Sequence, residues 1–284
     1  MLRKDVEEMV QLGKLLKKIV DKIFKCFGRI LGIEIVFSRA AKKDCDIRGK
    51  RLINVGAGDW KCRGWICLDY SSPWYASMHK GGQYIEYDIR NDKLPFADET
   101  VDAIYCSHVI EHIENEYIQS FFLECHRVLK KGGILRVCCP DAEFLWNASQ
   151  TDNSYWIWRK ILLKQINVDY ANMRQVDFLV REIATERFLD YISGNGQDYN
   201  EAFLNKDMDN FFEYITEGLT YDPKKAGYHI NYWTFSKVKD TLIDSNFTKI
   251  IRSKYAGSIS EYMKNKMYFD KTFPEMSLYV EAIK

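Results

Sequence analysis

The sequence predicts an α/β fold with a doubly wound parallel sheet, and three observations support this prediction. From Arg51 onward, short β-rich runs alternate with segments of helical periodicity. Several of these runs are almost wholly apolar, as expected for strands buried on both faces of a parallel sheet. Glycine or acidic residues follow the first runs, at the edge where open α/β sheets bind ligands. Helices are therefore expected on both faces of the sheet.

The individual elements follow from local pattern. Strands are expected, in chain order, at Arg51–Val55, Trp65–Asp69, Gln83–Tyr87, Val101–Cys106, Ile134–Cys139, Thr248–Ser253 and Ser277–Ile283. A helix is expected at Glu114–Lys130, where the following Gly132 and Gly133 provide a stop signal. A second helix is expected at Thr234–Ser245.

The chain divides by pattern into an N-terminal helix and linker (residues 1–40), an α/β core (residues 41–141 and 228–284) and a mostly helical insertion after strand five (residues 142–227). In the first part, apolar residues recur at helical spacing and lysines lie largely on the other face. Residues 1–32 hold eight Lys/Arg and four Asp/Glu residues, a net charge of +4. Such an amphipathic helix suits packing on the rest of the chain, a homodimer contact, or peripheral contact of residues 7–31 with an anionic membrane.

Composition excludes several classes of protein. Hydrophobic residues make up 46% of the 284 residues, which is enough to form a core. The 41 basic and 40 acidic residues nearly cancel, so we expect no nucleic-acid partner held by global positive charge. No run is long and apolar enough to span a membrane. The eight cysteines contain no CxxC pair, and Cys106, Cys138 and Cys139 lie in predicted buried strands, so a cytoplasmic location is expected.

The first predicted strand ends in a glycine-rich turn. Asn54 and Val55 lead into Gly56-Ala57-Gly58, and such a glycine pair lets the backbone turn sharply and approach a ligand closely. Dinucleotide-binding loops carry a third glycine, but Lys61 stands at that position. The loop therefore fits NAD poorly.

Polar residues also follow the next three strands. A carboxylate at Asp69, beside Tyr70, can accept hydrogen bonds from both hydroxyls of a ribose. Asp88 and Ile89 pair an acid, which can accept from an adenine amino group, with an apolar side chain that can pack on the ring. Strand four leads into Ser107 and His108 at the same edge of the sheet.

This ordered set resembles the class I S-adenosylmethionine-dependent methyltransferases, which have a Rossmann-like fold. The resemblance covers residues 51–141 and, more loosely, 229–283; its motifs are Asn54–Gly58, Gly64–Asp69, Asp88-Ile89, Leu94–Asp98, Ser107–Ile113 and Arg127–Gly133. It implies S-adenosylmethionine as cofactor, with the binding residues Asn54, Gly56, Ala57, Gly58, Asp69, Tyr70, Asp88, Ile89, Ser107 and His108. Residues 142–227 would then form a lid over the acceptor site.

One departure from the family pattern concerns the first crossover. Only residues 59–63 separate Gly58 from Gly64, whereas parallel strands usually need a dozen or more connecting residues. Either the first crossover helix is a single turn, or strand two starts later than Trp65.

Three residues are candidates for a catalytic role. Methyl transfer to an oxygen needs a base within hydrogen-bond reach of the acceptor. Asp141 follows strand five and is the first candidate, although it can equally cap a helix. His229 precedes the last helix and can act as a base or anchor a loop. His108 is expected to shape the donor pocket more than to exchange protons.

The segment from His108 to His112 also matches the H-x-x-E-H signature of zinc peptidases. That signature requires all five residues on one helix, whereas His108 directly follows a predicted strand. We therefore assign no metal ligands from the sequence.

The resemblance implies O-methylation of a sugar or another small hydroxyl acceptor, including a lipid-linked glycan. Aromatic residues of the insertion and beyond it could stack on sugar rings, although core packing is the commoner role: Trp146, Trp156, Trp158, Tyr191 and Trp233. The alternative function is a catalytically inactive cofactor-binding partner subunit of the same fold. An NAD-linked oxidoreductase ranks third because of Lys61.

Overall fold

The computed structural model describes residues 47–76, 84–151, 155–157, 159 and 173–284. The chain separates into two units, Met1–Asp44 and Cys45–Lys284, and every described residue belongs to the second. The amphipathic helix expected in residues 1–40, with its membrane and dimer alternatives, lies outside the described residues, as does Trp158. Within the described ranges, no helix has the length and apolar character needed to cross a membrane.

A seven-stranded sheet organises the second unit. Its strands are β1 (Leu52–Val55), β2 (Trp65–Asp69), β3 (Ile85–Glu86), β4 (Val101–Ser107), β5 (Leu129–Pro140), β6 (Lys249–Arg252) and β7 (Ser277–Ile283). The spatial order is β3-β2-β1-β4-β5-β7-β6, and β7 runs antiparallel to both of its neighbours. The other pairs are parallel, so the predicted Rossmann-like fold class is confirmed, with one reversed strand that the sequence pattern did not specify.

The register of the parallel strands places the predicted site at one edge. Val55, at the end of β1, pairs with Leu68 of β2 and with Cys106 of β4. The turns after these three strands therefore leave the sheet at the same level. Strand order reverses between β1 and β4, and this is the crevice where doubly wound sheets bind ligands.

The helices with defined bounds are α1 (Asn115–Val128), α2 (Ala142–Thr151), α3 (Gln175–Ile183), α4 (Thr185–Ile192), α5 (Asn200–Asn205), α6 (Met208–Thr216) and α7 (Phe235–Asp244). Single 3-10 turns occur at Ile110–His112, Pro223–Lys225 and Glu261–Met263. Helix α1 ends at Val128, two residues before the predicted end, because β5 starts directly at Leu129.

One face of the sheet is covered by α1 and α7. Phe121 and Phe122 of α1 and Leu242 of α7 join the strand residues in one buried apolar cluster. The cysteines expected in buried strands, Cys106 and Cys139, lie in the same cluster and are at most 1% exposed. Burial of these residues supplies the main favourable free energy of the core.

The opposite face lacks the first crossover helix. Residues 56–64, all of which the structure describes, form turns, and β2 starts at Trp65 as predicted; both alternatives raised for this crossover are therefore wrong. Trp60 packs there against Trp65 and Phe269, with ring centroids 5.7 and 5.5 Å apart. The segment between β6 and β7, which contains Phe269, thus covers the surface that a crossover helix would otherwise bury.

The described helices of the insertion form their own hydrophobic cluster. Trp156 is 1% exposed and stacks on Phe178 at 5.6 Å, and Trp146 packs against Phe203 at 5.0 Å. Trp233 belongs to the sheet core and donates a hydrogen bond to the Ile110 carbonyl. These three indoles are packing residues, which was the commoner of the two roles considered for them.

Candidate cofactor site

A cavity of about 630 Å³ opens at the carboxyl edge of β1, β2 and β4. All ten residues predicted to bind a cofactor line it: Asn54, Gly56, Ala57, Gly58, Asp69, Tyr70, Asp88, Ile89, Ser107 and His108. Their common location follows from the register of the strands, because each residue lies at or just beyond a strand end. The volume is that of an ordinary small-molecule site.

The glycine turn is held against the end of β2. The backbone N–H groups of Gly56 and Ala57 both donate to the Leu68 carbonyl. Gly56 has φ +70°, and a Cβ atom at this position would lie 2.2 Å from Cγ2 of Val109. Only glycine therefore combines this left-handed conformation with the close approach of the next loop.

The carboxylate of Asp69 is oriented by backbone donors. Its Oδ2 accepts from the Gly58 N–H at 2.5 Å and its Oδ1 accepts from the Tyr70 N–H at 2.8 Å. Each carboxylate oxygen can accept a further hydrogen bond, so Asp69 can hold the glycine turn and a ligand hydroxyl together. The predicted ribose acceptor thus lies in the cavity wall beside the turn.

Asp88 is more heavily engaged than the sequence indicated. Arg90 donates to it from its backbone N–H and from two guanidinium nitrogens, and Asn91 donates from its side-chain amide. Burial would raise the pKa of Asp88, but these donors lower it below its ordinary value. With two bonds to each oxygen, Asp88 is occupied as an acceptor, and its role toward an adenine amino group stays a prediction.

Arg90 itself is a lining residue that sequence reasoning missed. Its guanidinium lies 4.0 Å from the ring centroid of Tyr221 and 5.3 Å from that of Tyr70, and all three residues line the cavity. The Asp88 carboxylate fixes this guanidinium in place. A flat, cationic and aromatic wall thus faces the predicted adenine end.

His108 is held on both sides of its ring. Its Nε2 lies 2.8 Å from Ser277 Oγ and its Nδ1 lies 3.0 Å from Oε1 of Glu111. Glu111 is 1% exposed; burial alone would raise its pKa, but the adjacent histidines, His108 foremost, lower it to about 2. His108 also adopts φ +54°, a conformation that its packing must maintain.

The other two predicted catalytic residues do not line the cavity. Asp141 caps α2 by accepting from the Phe144 N–H and pairs with Arg252 at 2.9 Å, which corresponds to its alternative role. His229 directs Nδ1 at the Glu182 carbonyl, 2.5 Å away. Burial and the neighbouring His112 lower the pKa of His229 to about 4, so its ring is neutral and weakly basic near pH 7.

Part of the remaining cavity wall comes from segments that carry no motif. Tyr75 follows β2, Tyr221 and Ala226 lie at the end of the insertion, and Tyr268 and Lys271 belong to the segment between β6 and β7. No local signal marks these residues, because their chain segments are irregular. Only tertiary packing brings them to the sheet edge.

Comparison with known proteins agrees with this arrangement. Residues 61–137 match the family model described as a methyltransferase domain. A probable S-adenosylmethionine-dependent methyltransferase of Mycolicibacterium smegmatis is 31% identical over 119 residues, which is 38% of this chain and 44% of the relative. The chain thus matches less than half the length of this relative.

Two solved structures are similar over more of the chain. An S-adenosylmethionine-dependent methyltransferase from Mesorhizobium loti is 15% identical and covers 83% of this chain and 91% of its own, with a TM-score of 0.41. One from Archaeoglobus fulgidus is 13% identical and covers 83% and 86%, with a TM-score of 0.39. Both TM-scores are below 0.5, so the fold assignment rests on the strand order described above.

The sheet order defines a Rossmann-like α/β fold with a cavity at the crevice where such sheets bind ligands. The matched segment supports the resemblance of this chain to the class I S-adenosylmethionine-dependent methyltransferases. S-adenosylmethionine is the cofactor that this family implies.

Proposed function

We propose that this chain transfers a methyl group from S-adenosylmethionine to a hydroxyl group of a small acceptor, such as a sugar or the glycan of a lipid-linked precursor. One observation carries the proposal: the glycine turn, the Asp69 carboxylate and the loop after β4 converge on one cavity. When bound, the cofactor supplies an electrophilic methyl group on a sulfonium, so the protein has mainly to bind and orient.

The residues present fit this cofactor. Gly56 lets the turn after β1 pack closely against Val109, since a Cβ atom at Gly56 would collide with that side chain. The cofactor could then approach the backbone of this turn. Asp69 presents carboxylate oxygens that suit ribose hydroxyls, and the Arg90 and Tyr221 wall suits a flat base. Ser107 and His108 would line the donor end, where His108 shapes the cavity through its contacts with Ser277 and Glu111.

The proposed preference for a sugar acceptor rests on the other residues of the cavity wall. Tyr75 and His112 lie within the matched segment, whereas Ala226 comes from the end of the insertion. The Tyr75 hydroxyl donates to the Ala226 carbonyl at 3.3 Å, which joins these two parts of the wall. Hydroxyl and imidazole groups beside aromatic rings suit a sugar better than an apolar acceptor.

Parallel calorimetric titrations with S-adenosylhomocysteine and NADH test the cofactor. We expect the adenosyl compound to bind and NADH not to bind; the reverse result would overturn the proposal. Transfer of labelled methyl from S-adenosylmethionine to a panel of sugars and other hydroxyl compounds then tests the activity. Binding without turnover on any acceptor would favour the alternative, a catalytically inactive partner subunit.

The basic segment before the core extends the proposal to membrane-linked acceptors. The sequence of residues 7–31 places apolar residues at helical spacing and lysines between them, a pattern that suits peripheral attachment to the inner face of an anionic membrane. Deletion of residues 1–32 should reduce flotation with anionic liposomes while preserving binding of S-adenosylhomocysteine. Equal flotation of both proteins would instead support packing or dimerisation.

A further inference from the structure

Three potential metal ligands converge beside the cavity. One ligand atom each from Glu111, His112 and His229 lies within 4.8 Å of the other two, and this is a candidate cluster found among the described residues. The two imidazole rings meet edge to face with centroids 4.8 Å apart. Glu111 and His112 belong to the 3-10 turn after β4, whereas His229 arrives from the segment before α7.

The hydrogen bonds of both histidines fix the tautomer that a metal ligand needs. Nδ1 of His112 lies 2.8 Å from the Tyr228 carbonyl and Nδ1 of His229 lies 2.5 Å from the Glu182 carbonyl. A carbonyl only accepts, so each Nδ1 must carry the proton and each neutral ring leaves Nε2 with a free lone pair. Metal-binding histidines typically donate their second N–H to a backbone carbonyl in this way.

The carboxylate of Glu111 has fewer donors than its burial demands. The residue is 1% exposed, and Oε2 has no hydrogen-bond partner within the part of the chain that the structure describes. Its Oε1 lies 3.0 Å from His108 Nδ1 and 4.0 Å from His112 Nε2. A buried carboxylate oxygen without a donor is costly unless a cation compensates its charge.

We propose that Glu111, His112 and His229 bind one divalent transition-metal ion, and that Zn²⁺ is the ion best suited to them. Two imidazole nitrogens and one carboxylate oxygen form a ligand set that zinc uses with a fourth, open position. Bonds of about 2.0–2.1 Å in a tetrahedron separate ligand atoms by about 3.4 Å. Inward movement of roughly 1 Å, within the reach of side-chain rotation, would close the site.

This site differs from the zinc-peptidase signature that the sequence suggested. His108 lies before the 3-10 turn with φ +54°, so it does not share a helical face with His112. The third ligand is instead His229. An ion here would tie the loop after β4 to the segment before α7, and His112 places it at the cavity wall.

Metal binding can be measured without any activity assay. The full chain, dialysed against a chelator, is titrated with Co²⁺ while visible absorption is recorded, and then with Zn²⁺ in competition. We expect one Co²⁺ per chain with ligand-field bands that Zn²⁺ abolishes. Thermal unfolding should shift to higher temperature when Zn²⁺ is present, because the ion binds only the folded arrangement.

The variants His112→Gln and His229→Gln should each weaken Co²⁺ affinity by at least about 10- to 100-fold, which is the loss that removing only an outer-shell partner of a metal ligand typically causes. His126→Gln is the matched control, since His126 packs on Phe247 away from the cluster. Far-ultraviolet circular dichroism and cooperative urea unfolding confirm that each variant is folded, so the test does not depend on the proposed cofactor. Absence of stoichiometric binding, or equal binding by the wild type and the folded His229→Gln variant, would overturn the proposal.

Discussion

Gly56 combines a conformational and a steric requirement in one residue. It has φ +70° in the turn after β1, and it leaves no room for a side chain because a Cβ atom there would lie 2.2 Å from Cγ2 of Val109. We expect Gly56→Ala to destabilise the fold by more than 1–2 kcal/mol, roughly the cost of the left-handed conformation alone. Affinity for S-adenosylhomocysteine, measured by calorimetry, should fall in parallel because the turn must move.

Gly132 provides a control for the conformational part of this cost. It has φ +76°, but a Cβ there would meet no atom within 4 Å. Gly132→Ala should therefore lose only the conformational term and should retain ligand affinity. The double variant Gly56→Ala/Val109→Ala should recover part of the stability. Equal losses in both single variants would show that Val109 contributes nothing.

Asp69 is expected to act both on the cofactor and on the glycine turn. In Asp69→Asn the amide group cannot accept from both the Gly58 N–H and the Tyr70 N–H and still present two acceptors to a ligand. We expect affinity for S-adenosylhomocysteine to fall about 10- to 100-fold, as for the loss of a charge-assisted hydrogen bond. Calorimetry measures the change.

Asp240→Asn, on the exposed side of α7, is the control for Asp69→Asn and should bind like the wild type. Unchanged affinity in Asp69→Asn would remove this residue from the ribose site.

At the scale of elements, Asp102 fastens the starts of three strands. It accepts from the Arg51 N–H before β1, from Lys50 at 3.2 Å and from Lys130 of β5 at 2.7 Å. Partial burial would raise the pKa of Asp102, but these donors together lower it. The ionised form is therefore favoured in the folded protein.

The sign of the resulting pH dependence follows from linkage. A carboxylate whose pKa is lower in the folded state stabilises the fold above its unfolded pKa of about 3.9 and loses this effect as the pH falls through its folded pKa. Asp102→Asn should cost about 1 kcal/mol at pH 7, and the difference from the wild type should shrink below about pH 4. Urea unfolding over this pH range measures it.

Asp98→Asn is the control for Asp102→Asn. The Asp98 side chain is 73% exposed and pairs only with Arg127 among the contacts that the structure describes. Its effect should be small at every pH. A constant difference for Asp102→Asn down to the lowest pH would contradict the ionic account.

Elements were predictable where their pattern is local. Strands β1, β2 and β4 and helices α1 and α7 lie within two residues of their predicted bounds, because burial periodicity and stop signals are read from consecutive residues. β3 is shorter than predicted, with only Ile85 and Glu86 paired to β2. An edge strand has one neighbour, so pairing rather than propensity sets its length.

At the scale of the whole molecule, a buried ionic network anchors the segment between β6 and β7. Arg136 of β5 is 0% exposed and donates twice to Asp270, at 3.0 and 2.6 Å, and it lies 3.3 Å from Glu281 of β7. Glu281 also accepts from the Ser258 hydroxyl at 2.5 Å. The network thus joins the sheet to the segment that supplies Phe269 to its uncovered face.

Arg136→Met should destabilise the protein by about 3–5 kcal/mol, because it leaves two buried carboxylates without their cation. Urea unfolding measures this loss. Affinity for S-adenosylhomocysteine should also fall, since Tyr268 and Lys271 of the same segment line the cavity. Arg252→Met is the control: its side chain is 47% exposed and its pair with Asp141 should contribute about 1 kcal/mol or less. Similar losses in both variants would contradict the role of burial.

The sequence by itself determined the strand order along the chain, the glycine turn and the polar residues at the strand ends. These features depend on neighbouring residues, and parallel strands necessarily bring their carboxyl ends to one edge. Ten residues of the cavity wall could therefore be predicted from the sequence, although their roles toward a cofactor stay predictions.

Only the tertiary structure decided how distant segments meet. Three features join residues that are far apart in the chain. Strand β7 pairs in the reverse direction, Trp60 and Phe269 pack where a crossover helix would otherwise lie, and His229 approaches Glu111. Such contacts follow from packing the insertion and the C-terminal segment on the sheet, where burial and shape select among many arrangements with similar local pattern.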